Sequence, residues 1–406
     1  MNILTLLTKV PFPLNSGGIL RSHHMLKAIV DEHRVTFVAL HRQPVDLEAW
    51  ELQGRFEVPP ILSSVCENTA LTDQGRRLRD SVRKHWWLRP DSIANYDIPS
   101  LWNTLGSLDL SQFDVIHLRW MFLAPYALAI KALMPQIKLV VDIDDILSLS
   151  QYRNVRFRPV KPFSRYYYTS WLDVLRYHLF ESATLPFLDS MWVCSARDRE
   201  YLARRADPSK IHVVPNGADV ASLARLVPDF ESCRLTLVGD YGNPPNAHAA
   251  INFVQRTWPL IQREFPAVEL WLVGSAPNKA VQGLHDEAGK IFVTGLVPEV
   301  TPYLEATAVS IAPIMFGTGT RLKIIEAMAA GLPVVSTTAA AEGIDFEGHD
   351  VARIADQPAE FARACLDFLK HPELRRSMGE RARKFVKARY DWSAIRNDIA
   401  AIYRTI

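Results

Sequence analysis

The segment GTGTRLKIIEAMAAGLPVV, at residues 317–335, places two cations and one acid directly after a loop rich in glycine and threonine. The pattern predicts a helix from about Arg321 to Ala330, with Gly331 as its left-handed C-terminal residue. Amides in the first turn of a helix attract anions, and glycines let a ligand approach the backbone closely. We therefore predict an anion site at the start of this helix, with phosphate as the usual occupant.

The charged side chains of the same helix extend this prediction to a nucleotide. Arg321 and Lys323 would offer positive charge to two phosphates, although cations in a first turn oppose the helix dipole. Glu326 lies about a turn further along, where its carboxylate can accept hydrogen bonds from both hydroxyls of a ribose. Diphosphate and ribose together describe a nucleoside diphosphate. The alternative is that Lys323 and Glu326, three residues apart, form an ordinary surface ion pair.

A second group of polar side chains ends strand-like runs in the first half of the chain. Asp142 and Asp144 end the run KLVVDIDD, and strand alternation would place both on one face, which suits a shared divalent ion. We prefer no metal, because the cations at Arg321 and Lys323 already neutralise a diphosphate. His117 and Arg119 end another run, DVIHLR, and are further candidates for a site.

The composition is that of a globular protein, not of a nucleic-acid-binding or membrane-spanning one. Of the 406 residues, 48% are apolar and 22% are charged, and the formal net charge is +2. The four cysteines lie far apart without metal-ligand spacing, which predicts reduced thiols and a cytoplasmic location. No apolar run is long enough to span a bilayer, and the N-terminal run is interpreted as a strand, not a signal peptide.

Strand-like and helix-like segments alternate along both halves of the chain, which predicts two open, doubly wound parallel sheets. Residues 51–112 allow no assignment of elements. The predicted strands are Asn2–Thr8, Arg34–Leu40, Asp114–Arg119, Lys138–Asp145, Ser190–Ser195 and Ile211–Gly217 in the first half, and Arg234–Asp240, Val268–Ser275, Lys290–Val297, Ala308–Ile314, Leu332–Thr337 and Asp350–Asp356 in the second.

The order of motifs along the chain resembles that of the retaining nucleotide-sugar glycosyltransferases with GT-B architecture, the glycosyltransferase family 4-like or group 1 enzymes. The motifs are PFPLNSGG, FDVIH, VCS, VVPNGAD, LVGD, LWLVGS, VTGLV, the segment at 317–335 and AAAEGI. The combination of VVPNGAD with the segment at 317–335 is the specific part. The resemblance implies two Rossmann-like α/β domains that face each other across a cleft.

The resemblance also implies the activity, which is transfer of a sugar from a nucleoside diphosphate sugar to an acceptor hydroxyl with retained configuration and without a cofactor. Polysaccharide, glycolipid or glycoconjugate synthesis is the expected setting. Residues 1–217 would take a carbohydrate or lipid-linked acceptor, and residues 234–390 would bind the donor. Residues 218–233 lack a strand pattern and would link the domains, and residues 391–406 would pack back on the first domain as a helix.

Site residues follow from the same resemblance. Arg321, Lys323 and Asp144 are the expected catalytic residues, and His117, Arg119, Asp142 and Asn216 are secondary candidates. The expected donor-binding residues are Gly17, Gly18, Gly239, Gly319, Thr320, Glu326 and Glu342.

This chain departs from the family pattern at three places. Thr318 replaces the first glutamate of the Glu-x7-Glu motif that Glu326 ends. The run YGNPPNAH lacks the arginine and lysine that hold the diphosphate in many relatives, so Arg321 and Lys323 are the substitutes we expect. Asp144 stands where many relatives have a histidine near the reacting sugar, which leaves its role open.

Residues 151–180 are rich in aromatic and basic side chains. They predict either a buried helix with a solvated basic edge or a surface that meets anionic lipid. Three other functions compete with the transferase. They are a sugar-nucleotide epimerase with the same fold, a catalytically silent nucleotide-sugar-binding protein and a nicotinamide oxidoreductase. The absence of a G-x-G-x-x-G motif at the first strand argues against the oxidoreductase.

Overall fold

The computed structural model describes residues 1–14, 17–43, 45–56, 59–66, 69–82, 90–157, 164–317, 321–346 and 348–406. The described chain divides into two compact units. Unit 1 comprises Met1–Pro215 and Arg396–Ile406, and unit 2 comprises Asn216–Ile395. Each unit is built on one open parallel sheet, so the predicted fold class of two doubly wound α/β domains is confirmed.

The described part of unit 1 contains a sheet of seven parallel strands. They are β1 (Asn2–Leu7), β2 (Arg34–His41), β3 (Ile61–Ser64), β4 (Val115–Arg119), β5 (Lys138–Asp144), β6 (Ser190–Val193) and β7 (Ile211–Val213). Their order is β3-β2-β1-β4-β5-β6-β7. Ile3, Leu4 and Leu6 are fully buried, because helices cover both faces of a parallel sheet. All six strands predicted in this half are present, and β3 lies in the region that allowed no assignment.

Eight α-helices of unit 1 are described. They are α1 (Gly17–Ile29), α2 (Asp73–Asp80), α3 (Asp91–Ala94), α4 (Pro99–Ser107), α5 (Ala124–Leu133), α6 (Leu147–Phe157), α7 (Arg165–Thr184) and α8 (Ala196–Leu202). The run PFPLNSGG predicts a loop that contains Gly17 and Gly18, but α1 begins at Gly17. Their amides therefore lie in a first helical turn, where intrahelical partners are absent by geometry.

The described part of unit 2 contains a sheet of six parallel strands, and all six were predicted. They are β8 (Arg234–Val238), β9 (Glu269–Val273), β10 (Ile291–Gly295), β11 (Val309–Ala312), β12 (Val334–Ser336) and β13 (Arg353–Ile354). Their order is β10-β9-β8-β11-β12-β13. Leu235, Leu237 and Leu272 are fully buried in the core of this unit.

The helices described after β7 are α9 (Val220–Leu223), α10 (Pro244–Arg256), α11 (Trp258–Glu264), α12 (Lys279–Gln282), α13 (Thr301–Glu305), α14 (Leu322–Ala329), α15 (Thr338–Ala341), α16 (Pro358–Lys370), α17 (Pro372–Arg389) and α18 (Trp392–Tyr403), which contains the boundary between the units. The sequence indicates one long helix over AHAAINFVQRTWPLIQREF, but the segment divides at Thr257 into α10 and α11, because Pro259 lacks a backbone N–H and suits only a first turn. The sequence also indicates helix breaks near Pro372 and Trp392, and α17 and α18 begin at these residues.

Residues 218–233, which the sequence predicts as a linker, pack on unit 2. Ala218 and Val220 are buried, and the amide of Ala218 donates to the carbonyl of Tyr390 at 2.8 Å. In unit 1, the last helix places Tyr403 against Trp192, with ring centroids 5.5 Å apart. The predicted domain bounds stay predictions. None of the described helices combines the length and apolar character that a bilayer crossing needs.

Candidate functional site

The strand order reverses beside the first strand of each unit. Strand β1 lies between β2 and β4, and strand β8 lies between β9 and β11. Ligands of open α/β sheets bind at such a reversal, outside the carboxyl ends of the strands. Candidate residues follow these strands in both units, with Arg119 at the end of β4 and Gly239 directly after β8.

Helix α14 presents the predicted cations of unit 2. It begins at Leu322, with Arg321 at its N-cap, and it ends before Gly331, whose φ of 81° is the predicted left-handed conformation. Ile325 and Met328 are fully buried and fix the helix against the core. Thr318, Gly319 and Thr320 lie outside the described residues. The start of this helix is therefore positioned by packing of its apolar face rather than by a side-chain cap.

Lys323 lies over the carboxyl end of β8. Its Nζ donates to Asn246 Oδ1 at 2.8 Å, and Asn246 Nδ2 donates to the carbonyl of Asp240 at 2.8 Å. A Cβ at Gly239 would come within 3.0 Å of Nζ, so the glycine makes room for the lysine. The alternative of a surface ion pair is wrong, since Lys323 and Glu326 form no ion pair among the described residues.

Burial dominates the electrostatics of this cluster. Burial first, and then the positive charge of Arg321, lower the pKa of Lys323 to about 7. Burial also raises the pKa of Glu326 above its ordinary value, against the influence of Lys323. The carboxylates of Glu326 and Asp240 favour the ammonium form but do not restore the ordinary pKa of Lys323, so a bound anion would stabilise this charge further.

Arg321 lies against the end of the loop that precedes it. Its Nη2 donates to the carbonyl of Phe316 at 3.4 Å, and a Cβ at Gly317 would come within 2.2 Å of the same nitrogen. Gly317 also has a φ of 122°, which side-chain-bearing residues rarely adopt. Of the other candidates of this unit, Glu342 is the C-cap residue of α15, and Asn216 is buried at the first position of the unit.

The corresponding cluster of unit 1 is a buried network of ion pairs. Arg21 Nε and Nη2 each donate to a carboxylate oxygen of Asp142 at 2.7 Å, and neither side chain is exposed. Arg119 bridges the two acids, with Nη1 at 3.2 Å from Asp142 Oδ2 and Nη2 at 2.7 Å from Asp144 Oδ2. Two arginines thus neutralise two aspartates. Sequence reasoning missed Arg21, because nothing in the pattern of a helix shows which distant acid it meets.

Asp144 adopts a strained conformation at the edge of this network. Its φ is 46°, and the register with β6 shifts between Asp142 and Asp144, so regular strand geometry ends there, although the guanidinium of Arg119 contacts both carboxylates. Trp120 Nε1 donates to Asp144 Oδ2 at 3.1 Å, and Cys194 Sγ donates to Oδ1 at 3.0 Å. Burial alone would raise the pKa of Asp144, but Arg119 and Arg21 hold this pKa well below its ordinary value. The carboxylate therefore stays ionised.

Asp144 opens onto a cavity of about 240 Å³ in unit 1. Gly18 and Trp120 form part of its wall, and a Cβ at Gly18 would lie 3.3 Å from the Trp120 ring. His117 does not line this cavity. It is buried, its Nδ1 is hydrogen bonded to the hydroxyl of Tyr403, and burial lowers its pKa to about 4. Its surroundings favour a structural role.

This part of unit 1 contains the two acids that the sequence suggests as ligands of a divalent ion. Asp142 and Asp144 are both engaged by arginines. Across the described ranges, no three His, Cys, Asp or Glu side chains come together as a metal-binding group. Asn246, in the first turn of α10, is the other residue that was not predicted, because an asparagine in the polar run YGNPPNAH carries no local signal of its partner.

Two family models match this chain. Residues 16–217 match the model of the glycosyl transferase 4-like domain, and residues 223–371 match that of glycosyl transferases group 1. Among curated proteins, the chain is 29% identical over 202 residues to a phosphatidyl-myo-inositol mannosyltransferase of Mycolicibacterium smegmatis, covering 48% of this chain and 51% of that protein. An uncharacterized 44.6 kDa protein in the cps region of Klebsiella pneumoniae is 24% identical over 170 residues, which are 40% of this chain and 44% of that protein. The chain thus spans about half the length of the curated relatives it matches.

Solved structures share the fold over the whole chain. Sucrose-phosphate synthase from Thermosynechococcus elongatus has a TM-score of 0.70 at 16% identity, with 100% of this chain and 99% of that chain covered. Anabaena Alr3699/HepE in complex with UDP has a TM-score of 0.67 at 15% identity, with both chains covered completely at 100%. The glycosyltransferase WaaG, involved in lipopolysaccharide biosynthesis, has a TM-score of 0.64 at 14% identity, with 98% and 99% covered. At these identities the likeness concerns the fold.

Proposed function

Because this chain belongs to the glycosyl transferases that combine the 4-like and group 1 domains, we propose that it transfers a sugar from a nucleoside diphosphate sugar to an acceptor hydroxyl. The observation that carries this proposal is Lys323. It lies at the carboxyl end of a parallel sheet, its pKa is about 7, and its described partner is the neutral amide of Asn246. A diphosphate would supply the negative charge that this ammonium lacks.

In this proposal the donor binds along helix α14. Arg321, Lys323 and the amides of Gly319 and Thr320 hold the diphosphate, and Glu326 accepts hydrogen bonds from the ribose. Gly239 lets the phosphates approach the backbone. Alr3699/HepE was solved with UDP and with UDP-glucose, so uridine is the first nucleoside to test.

A thermal-shift panel of nucleoside diphosphates and their sugars tests donor binding. A ligand that binds only the folded protein raises its melting temperature in proportion to the logarithm of concentration over Kd. We expect one base to raise the melting temperature in the wild type and to lose this effect in Lys323→Ala. The absence of a shift with every nucleotide would contradict the proposal.

The chemistry requires little beyond positive potential, because the departing diphosphate is a stable anion. Preorganised cations and amides stabilise the charge that builds on its oxygens in the transition state. Asp144, which stays ionised, would accept a hydrogen bond from a sugar hydroxyl near the reacting carbon. We propose retention of configuration, and NMR of the first product formed would reveal the anomeric proton that tests it.

We propose that turnover needs no metal. The acids that could ligate an ion, Asp142 and Asp144, are already paired with arginines, and the cations of α14 take the place of the ion at the diphosphate. Activity in EDTA should stay within about twofold of the untreated enzyme, since no charge at the diphosphate is lost. A loss in EDTA that Mg²⁺ or Mn²⁺ restores would overturn this part.

The acceptor that we propose is a carbohydrate or a lipid-linked saccharide, in polysaccharide, glycolipid or glycoconjugate synthesis. The names of the curated relatives support it, since two are phosphatidyl-myo-inositol mannosyltransferases. An acceptor panel with the identified donor tests it, and an acceptor-free reaction serves as control. Isomerised donor in that control would indicate an epimerase instead, and donor binding without turnover would indicate a silent binding protein.

We also propose that helix α7 contacts the cytoplasmic face of a membrane. Four apolar side chains on this helix are exposed at spacings of four, three and four residues, which places them on one face. They are Tyr168 (57% exposed), Leu172 (45%), Leu175 (52%) and Leu179 (36%). Arg165 lies on the same helix and its charge favours anionic lipid, whereas Arg176 pairs with Asp173 at 3.5 Å.

Vesicle co-sedimentation tests the membrane contact. We expect binding to phosphatidylglycerol vesicles at low salt and little binding to phosphatidylcholine vesicles. Leu172→Asp and Leu175→Asp together should abolish it, whereas Leu133→Asp, at a leucine that is 56% exposed outside the stripe, should not. Equal binding of both variants would remove α7 from the proposal.

A further inference from the structure

Unit 1 contains a second cavity, of about 630 Å³, next to the one that holds Asp144. The side chains at the carboxyl ends of β1 and β2 contribute to its wall. Thr8 and Lys9 line both cavities, so the two spaces adjoin. A molecule whose hydroxyl reaches Asp144 can therefore extend into the larger cavity, and the lining of that cavity indicates the chemistry of the molecule.

One wall of the larger cavity is aromatic. The rings of Tyr96 and Phe122 stack with centroids 5.1 Å apart and an interplanar angle of 17°. Both side chains are partly exposed, so the stacked pair offers surface to a ligand. Such a surface suits the apolar C–H face of a pyranose or another flat ring, since aromatic rings bury large areas against apolar faces.

The rest of the described wall contains two cations among apolar and neutral side chains. Lys9 and Arg42 line the cavity with exposed side chains, and His41 lies beside them. None of the described residues that line the cavity is Asp or Glu. Neither Lys9 nor Arg42 forms a side-chain ion pair among the described residues. Arg42 therefore faces the larger cavity without a carboxylate in its described wall, whereas Lys9 also lines the adjoining cavity that holds Asp144 and Asp145.

Arg42 lies close enough to the aromatic wall to affect it. Burial raises the pKa of Tyr96, and the positive charge of Arg42 opposes this rise in pKa. The cation and the ring pair thus belong to one surface rather than to separate parts of the cavity. A ligand that stacks on Tyr96 brings its substituents within reach of Arg42.

We infer that the acceptor carries an oxyanion, a carboxylate or a phosphate, which Lys9 and Arg42 bind while a ring of the acceptor stacks on Tyr96 and Phe122. This inference rests on the proposed function, because it names the class of acceptor for that reaction. A neutral saccharide would bring no negative charge to the two cations that line the larger cavity. An anionic one gains charge-assisted hydrogen bonds at the same positions.

Three matched probes test the inference: 4-nitrophenyl β-glucoside, the corresponding glucuronide and the corresponding 6-phosphate. They share the ring and the aglycone and differ in charge. Their dissociation constants are measured by ligand-observed NMR at low salt. We expect at least one charged probe to bind about fivefold tighter than the neutral probe or better, as expected for a solvent-facing charge-assisted contact. The tighter charged probe distinguishes carboxylate from phosphate.

Variants of the lining residues test which side chains produce the preference for a charged probe. Arg42→Gln and Lys9→Gln should each reduce it, and the double variant should abolish it while the neutral probe binds as before. Lys138→Gln is the matched control, because Lys138 is exposed at the amino end of β5 and does not line the cavity. Phe122→Leu should instead weaken all three probes, because it removes the shared ring contact.

Equal binding of the three probes, absence of binding by both charged probes, or a preference that survives the double variant would overturn the inference. Binding of the nucleoside diphosphate identified in the thermal-shift panel is measured on the same samples. If the nucleotide binds and the charge preference is absent, the inference fails and the proposed function stands. If no nucleotide binds, the proposed function fails by its own test.

Discussion

The charge clusters of the two units occupy equivalent places in similar sheets and differ in how their charges are compensated. In unit 1, Arg21 and Arg119 meet Asp142 and Asp144 in a buried network of two cations and two anions. In unit 2, the Lys323 ammonium meets the neutral amide of Asn246. The first cluster is neutral as it stands, whereas the second favours an added anion.

Because of this difference, we expect the two clusters to have different roles. The ion pairs of unit 1 hold Asp144 ionised in a strained conformation at the wall of a cavity, so they act by positioning. The cations of α14 are available to stabilise charge that comes with a ligand. Removing one charge should therefore damage folding in unit 1 and turnover in unit 2.

The largest expected effect is on stability. Asp142→Ala leaves Arg21 buried without its carboxylate, and breaking a buried ion pair in this way costs about 3–5 kcal/mol. Chemical denaturation monitored by tryptophan fluorescence measures the loss. Asp31→Ala, which breaks an exposed pair with Arg55, is the control and should cost less than about 1 kcal/mol. Similar losses in the two variants would contradict the contrast between buried and exposed pairs.

The next effect is on turnover. Lys323→Ala and Arg321→Ala should each lower kcat by about 10²–10³, the scale for losing one group that stabilises transition-state charge. The melting temperature should change little. Lys279→Ala, at an exposed lysine on α12 of the same unit, should leave kcat unchanged. Activity near the wild type in both α14 variants would remove the proposed diphosphate clamp.

A smaller effect concerns pH. Lys323 has a pKa of about 7 in the free protein, and a diphosphate would raise this pKa by favouring the ammonium form. Binding above pH 7 then takes up a proton, so affinity falls as pH rises, by up to about tenfold per pH unit until the pKa of the complex is passed. Calorimetric titrations of the nucleotide between pH 7 and 9 measure this slope.

The matched variant for the pH experiment is Lys323→Arg, whose guanidinium stays charged throughout this range. Its affinity should lack the slope, and any titration of the nucleotide itself is common to both proteins. A slope of equal size in the wild type and in Lys323→Arg would show that Lys323 is not the titrating group.

The smallest effect separates ribose from diphosphate. Glu326→Gln should weaken binding of the nucleoside diphosphate by about five- to tenfold, because a neutral amide oxygen accepts a weaker hydrogen bond than a carboxylate. Binding of inorganic pyrophosphate, which has no ribose, should not change. Calorimetry with both ligands measures the difference. Equal weakening of the two ligands would place Glu326 at the phosphates instead.

Much of the fold was predictable because the signals are local. All twelve strands predicted from apolar runs are present in the structure. Gly331 follows the end of α14, and Pro372 begins α17, as their residue types indicate. The strand within residues 51–112 was not predicted, because β3 has only four residues, ILSS, and lies at the edge of the sheet. A short, half-polar edge strand carries little periodicity.

The sequence by itself determined the elements and the presence of Arg321, Lys323 and Glu326 on one helix, because periodicity and end signals act within a few residues. Only the tertiary structure decided which charges are compensated. Arg21 reaches Asp142 across 121 residues, and Lys323 reaches Asn246 across 77. Such partners depend on the order of strands in the sheets. Burial then determines which cation keeps its charge and which cation a bound anion would stabilise.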